Sequence, residues 1–287
     1  MPTFTTTDGI ELSFADTGSG PPLVLLHGWG FSHRFFDGVA PALAQHCRVV
    51  ALDLRGHGDS GAPPYQPKVA RMGADLHELL EYLHIEEAIV LGWSLGSAVA
   101  WSMLENFGSQ RVSGGIYCSQ VPRQYLAADW PWHHAECFDD VGLARFQGKV
   151  SYELDTMIEH QVDEICASPV SEADRELFIK EMAKCGAQVR NAIMADHTRH
   201  DWRDFLEQLD LPTLVMTGQK DQAYNWRGTA WIGEHVRGAQ TVLFPHSAHA
   251  IFHDEPDRFV SSVLNFVEQT GSAKPQLVLG IEWGNHP

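Results

Sequence analysis

The stretch Val90–Met103, VLGWSLGSAVAWSM, sets one polar residue, Ser94, between two glycines, Gly92 and Gly96. Apolar residues precede it and small ones follow it. This reads as a buried strand that runs into a helix through a sharp turn carrying the serine. Such a turn forces the serine into a strained backbone conformation, and a side chain at Gly92 or Gly96 would collide with neighbouring backbone. Ala98 and Ala100 let the helix approach the sheet. The turn lifts the hydroxyl to the carboxyl edge of the sheet, where open α/β sheets bind ligands. GxSxG is a short pattern; the strand before it and the helix after it give it weight, and it occurs once in the chain.

Working outward, six short apolar blocks read as strands covered on both faces: PLVLLHG, CRVVALD, EAIVLGW, SGGIYCS, PTLVMTG and TVLFPHS. Amphipathic stretches separate them. Met72, Leu76, Leu79, Leu80 and Leu83 share one helical face, as do Phe259, Val260, Val263, Leu264 and Val267 after a start signal at Asp254 and Pro256. This alternation predicts an α/β fold, a mostly parallel sheet with helices on both faces. FTTTDGIELSFAD alternates and turns at Asp8-Gly9, which fits an antiparallel hairpin at the sheet edge. The rhythm breaks between Val121 and Phe205, where a stretch of helical composition, rich in aromatics, reads as a cap inserted between two strands. The expected organisation is a core over 1–120 and 206–270, a helical cap over 121–205, and a tail over 271–287 in which LVLGIEW is either an edge strand or a surface segment.

The chain has 287 residues and a formal charge of −17, which argues against nucleic acid or an anionic membrane as partner. No apolar run approaches the roughly 20 residues of a membrane helix. MPTFTTTDG has neither the basic nor the apolar part of a signal peptide. The five cysteines are scattered and odd in number, which disfavours a disulfide or zinc framework. A reduced, cytoplasmic protein acting on a small molecule is the expectation, and nothing in the sequence fixes an oligomeric state.

A serine hydroxyl is a weak nucleophile until a base takes its proton. Of sixteen histidines, His249 follows the last strand block and precedes the last helix, on a loop at the edge that carries Ser94. His246 and His253 are close competitors. Asp221, just past PTLVMTG, stands at the same edge and would fix the tautomer of the base. The order Ser94, Asp221, His249 is that of groups carried on successive loops of such a sheet. Two backbone N–H groups would receive the oxyanion: that of Leu95, next to the serine, and that of Trp29, in LLHGWGF. His27 reads as a residue that organises this loop.

With these residues in place, the sequence resembles the α/β-hydrolase-fold serine hydrolases along almost its whole length. HGWG at His27, DLRGHGDS at Asp53, GWSLG at Gly92, TGQKD ending in Asp221 and SAHA around His249 carry the resemblance. It implies a triad of Ser94, Asp221 and His249, with Trp29 and Leu95 at the oxyanion hole, and a structural role for DLRGHGDS. Ser97 stands where the family often has glycine. Dehalogenases and epoxide hydrolases of this fold use aspartate at the elbow, so Ser94 argues against both. The carboxylesterase that demethylates a carrier-protein-bound intermediate is also similar, but docking an acidic carrier needs a basic cap. Residues 121–205 hold nine Lys/Arg and sixteen Asp/Glu, a balance of −7. The favoured reading is a carboxylic ester or lactone hydrolase. Haloperoxidase-like perhydrolysis, C–C bond hydrolysis and a non-catalytic receptor that keeps the triad are the alternatives.

Candidate substrate-binding residues are Trp93 beside the serine and the cap aromatics Tyr125, Trp130, Trp132, Phe138 and Phe146. An acidic surface over an aromatic underside predicts a neutral, hydrophobic substrate. DHTRHD, Asp196 to Asp201, bunches two histidines and two aspartates, but His197 and His200 lack a defined third ligand. The chemistry read from these residues needs no cofactor, and no metal site is expected.

Overall fold

A computed structural model describes residues 1–272; the final helix runs through the first two residues of the expected tail, and LVLGIEW and the remainder, 273–287, lie outside the described residues. Eight strands form one sheet: β1 (Thr3–Thr5), β2 (Glu11–Gly18), β3 (Pro22–Leu26), β4 (Arg48–Leu52), β5 (Ala88–Trp93), β6 (Val112–Cys118), β7 (Thr213–Gly218) and β8 (Gln240–Phe244). Their order is β1-β2-β4-β3-β5-β6-β7-β8. The six expected apolar blocks are the six parallel strands β3 to β8, and the alternating N-terminal segment supplies the antiparallel pair β1–β2 at the edge.

Strand parity divides the core. Leu23, Leu25, Val49, Ala51, Ile89, Leu91 and Trp93 face one side, where α1 (Ala40–Leu43) and the long final helix pack. Val24, Leu26, Val50, Leu52, Ala88 and Val90 face the other, against α2 (Val69–Tyr82) and α3 (Leu95–Phe107). Met72, Leu76, Leu79 and Leu80 of α2 are fully buried, as their spacing predicts, and Leu83 just beyond the helix is partly buried.

Between β6 and β7 lie α4 (Asp140–Tyr152), α5 (Leu154–Glu164), α6 (Glu172–Ala183), α7 (Ala187–His197) and the short α8 (Arg203–Glu207). The first part of this insertion, residues 122–139, is not helical. Pro122 and Pro131 interrupt it, and it closes on itself through Leu126 N–H to Phe138 O (2.9 Å) and His134 N–H to Gln124 O (2.9 Å). After β7 come α9 (Trp226–His235), then β8, α10 (Ile251–Asp254) and α11 (Pro256–Ser272). Among the described residues no helix is long and apolar enough to cross a membrane.

Candidate active site

Ser94 sits between β5 and α3 with φ +54° and ψ −123°, a conformation L-residues rarely adopt. The two glycines around it make this turn sterically feasible. A Cβ on Gly96 would lie 2.3 Å from the carbonyl oxygen of Leu26, and one on Gly92 would lie 2.3 Å from the amide nitrogen of Ser97. Ser94 N–H donates to Cys118 O (2.9 Å), tying the turn to the neighbouring strand. Ser97, the departure from the family's glycine, donates its hydroxyl to Gly92 O (2.7 Å) and closes the elbow from within.

The loops after β7 and β8 meet at the same edge. His249 Nδ1 lies 2.8 Å from Asp221 Oδ2, and both side chains are almost completely buried. The second oxygen of Asp221 accepts the backbone N–H groups of Ala223 (2.8 Å) and Tyr224 (3.2 Å). With its acceptors occupied by donors, the carboxylate holds Nδ1–H of His249 and leaves Nε2 as the imidazole's basic nitrogen. Lys220 N–H donates to Ser247 O (3.0 Å) and locks the two loops together. The rival histidines point elsewhere. His246 is exposed, and the ring of His253 packs edge-on to Phe178.

The loop after β3 passes directly beside the elbow: a Cβ on Gly28 would lie 3.2 Å from that of Ser94. His27 shapes this loop, with Nδ1 2.7 Å from Gly28 O and Nε2 accepting Leu54 N–H (3.0 Å). The two contacts fix its tautomer, and burial depresses its pKa to about 4. Leu95 opens α3, so its N–H is one of the unpaired donors at a helix start. DLRGHGDS is structural: Asp53 receives His33 N–H (2.8 Å) and Asp59 N–H (2.9 Å), and Arg55 forks onto Asp75 at 2.6 and 2.5 Å.

A cavity of about 460 Å³ opens above Ser94 and His249. Its apolar wall includes Trp29, Phe31, Phe146, Met157, Ile165 and Met194. Glu136, Glu153 and Glu164 stand exposed at its mouth, with Lys149 paired to Glu136.

Of the predicted substrate-binding residues, Phe146 lines this cavity and the other five do not. Trp93 is buried beneath the sheet because its parity matches Ile89 and Leu91; its Nε1 donates to His249 O (2.9 Å), so it supports the histidine from below. Trp130 and Trp132 pack edge-to-face on each other, and Trp130 also packs on Trp231 of α9. Tyr125 bonds Asp140 (3.0 Å), and Phe138 packs against His133 and lines a neighbouring pocket that shares Glu136, Phe146 and Lys149 with the cavity. These four belong to the non-helical part of the insertion and pack on α9, on α4 or on one another, whereas His134, Ala135 and Glu136 of the same part line the cavity above Ser94. His197 and His200 part company: His197 lines the cavity, while His200 stacks on Trp202.

Sequence reasoning missed Tyr224, His134 and His197. Tyr224 lines the cavity with its ring centroid 5.8 Å from that of His249; burial raises its phenol, so the group stays neutral. Its signal was its place three residues after Asp221, in the turn that wraps the carboxylate. His197 shares a helical face with Arg190, Ile193 and Met194, all buried, and that spacing marks it as inward-facing.

Among known proteins, the pimeloyl-[acyl-carrier protein] methyl ester esterase of Nitrosospira multiformis is 26% identical over 266 residues, which is 90% of this chain and 98% of its own. A putative non-heme chloroperoxidase from Synechocystis sp. is 25% identical over 265 residues, 90% of this chain and 95% of its own. The structure of an esterase from Exiguobacterium antarcticum superposes with a TM-score of 0.88 over 93% of this chain and 98% of its own; at 24% identity the likeness is one of fold. A model of the alpha/beta hydrolase family matches residues 23–262. That span takes in the elbow, both loops beside it and the parallel strands beneath them, and the chain belongs to the alpha/beta hydrolase family.

Proposed function

We propose that the chain hydrolyses a carboxylic ester or lactone of a small, neutral molecule through an acyl-enzyme on Ser94. The observation that carries this reading is the buried 2.8 Å contact of His249 with Asp221 on the rim of the cavity that Ser94 also lines. His249 takes the Ser94 proton as Oγ attacks the carbonyl carbon. The oxyanion forms beside the N–H groups of Trp29 and Leu95, each donor of this kind being worth roughly 2.7–4 kcal/mol. His249 then returns the proton to the departing alkoxide, and a water molecule activated by the same nitrogen releases the acid.

Residues 121–205 act as the cap over this site. Three glutamates at the mouth disfavour anionic substrates, and Trp29, Phe146, Met157 and Met194 favour an apolar portion. The Nitrosospira relative's name supports ester cleavage, while the acidic cap counts against an acidic carrier as the acyl donor. The Synechocystis relative's name supports perhydrolysis as a side reaction, with peroxide replacing water at the acyl-enzyme. Five unpaired, buried cysteines suit a reducing cytoplasm.

Multiple turnover of p-nitrophenyl butyrate tests the reading. Ser94→Ala should lower kcat/KM by about 10⁴-fold or more, and Asp221→Asn by up to about 10⁴-fold. A receptor would bind without turning over, and hydrolysis that survives in Ser94→Ala would contradict the proposal.

A further inference from the structure

The cavity has polar groups that acyl transfer does not use. His197 is 3% exposed, and neither of its ring nitrogens has a hydrogen-bond partner among the described residues. Gln161, on α5, lines the same cavity, and its buried Oε1 also lacks a partner among them. His134 completes the set. Its Nδ1 accepts the N–H groups of Glu136 (3.0 Å) and Cys137 (2.9 Å), so the ring proton resides on Nε2, a fixed donor.

Leaving such groups buried without partners destabilises a fold, so their retention calls for an occupant that answers them. Burial keeps both imidazoles neutral, holding His134 at about 4 and His197 at about 3. A neutral imidazole offers one donor and one acceptor, the complement of a hydroxyl group; a carboxylate could use only the donor. His134 and His249 both pack against the Tyr224 ring, at 5.2 and 5.8 Å between ring centroids, and His197 lines the same cavity from the end of α7.

We propose that His197, with Gln161 and His134, forms a polar subsite for a hydroxyl group carried on the substrate. The natural substrate class is then a neutral hydroxylated ester or lactone rather than a plain hydrocarbon one. This rests on the ester-hydrolase reading and specifies its substrate.

The test compares kcat/KM for p-nitrophenyl hexanoate with its monohydroxy positional isomers, and for hexyl acetate with the monoacetates of the hexanediols. In wild type one isomer should exceed its parent by about tenfold, the effect of one well-made hydrogen bond. His197→Leu should bring that preference to within about twofold, with far-UV circular dichroism reporting an intact fold. His197→Gln, which keeps a donor and an acceptor but moves them, should lower the preference or shift it to another isomer. Ester hydrolysis with no isomer above its parent, or a preference that survives both variants unchanged, would overturn the subsite and leave the hydrolase reading standing. Failure to turn over any ester in either series would remove the reading itself, and the subsite with it.

Discussion

The guanidinium of Arg190 donates through Nη2 to the carbonyl oxygen of Gly30 at 3.0 Å, joining α7 of the insertion to the loop that carries Trp29. The same group bonds Met182 O (2.7 Å) and Cys185 O (2.9 Å) and lies over the Trp29 ring, 4.9 Å from its centroid. Trp29 Nε1 donates back to Arg190 O (2.9 Å). A fully buried cation whose bonds go to three carbonyls rather than to a carboxylate stabilises little by Coulomb attraction; its value lies in fixing geometry. Arg190 is thus a positioning residue for the proposed oxyanion loop.

Arg190→Met should lower kcat by about 10- to 100-fold, as a displacement of the loop by about 1 Å would, with a smaller change in KM. It should also destabilise the fold by about 1–3 kcal/mol by leaving buried carbonyls unanswered. Arg190→Lys should recover part of the stability without recovering the planar fork. Steady-state kinetics and denaturant unfolding of the two variants check this; an unchanged kcat in Arg190→Met would contradict it.

Stability should fall in mild acid. Burial depresses His27, His57, His134 and His197 to about 4, 3, 4 and 3. In the unfolded chain each titrates near 6.5. Between about pH 4 and 6.5 the unfolded chain binds protons that the native chain refuses, so their stabilisation is complete above about pH 6.5 and is lost as pH falls. Each histidine contributes up to about 1.4 kcal/mol per pH unit in that window. Denaturant unfolding at a series of pH values should give a slope of several protons, reduced by about one in His197→Leu. A flat profile over this range would contradict the buried, neutral assignment.

Phe146 and Trp132 should separate in function. Phe146 lines the cavity and packs 5.3 Å from Trp29, while Trp132 packs on Trp130. Phe146→Ala should lower kcat/KM for a neutral aromatic ester by about ten- to a hundred-fold, following the loss of roughly 1.5–3 kcal/mol of apolar contact. Trp132→Ala should leave the ratio of aromatic ester to short acetate as in wild type and lower the melting temperature. If Trp132→Ala changes that ratio and Phe146→Ala does not, the cavity is wrongly placed.

The sheet and the elbow were legible because their signals are local. Gly92 and Gly96 report backbone collisions with Ser97 and Leu26 that any such turn must avoid. The unbroken apolar blocks report burial on two faces. The expected positions of Asp221 and His249 followed from loop order alone, and the structure brings the two side chains into contact. The cavity wall was not legible, because an aromatic that packs on α9 and one that faces a substrate have the same composition. Trp130 and Trp132 read like Phe146, and only the tertiary path of residues 122–139 separates them. Two errors had local signals. Trp93 shares parity with Ile89 and Leu91, which sends it below the sheet. His197, read only within DHTRHD, follows Ile193 and Met194 at helical spacing, which turns it inward.

The central claim, that Ser94 becomes the acyl-enzyme nucleophile, is tested most directly by intact-mass spectrometry after a fluorophosphonate probe. Wild type should gain the mass of one phosphonyl group, mapped by peptide analysis to the segment holding Ser94. His249→Ala should react far more slowly, and Ser94→Ala should gain nothing. Stoichiometric labelling of Ser94→Ala, or a label on another residue of the wild type, would contradict the account.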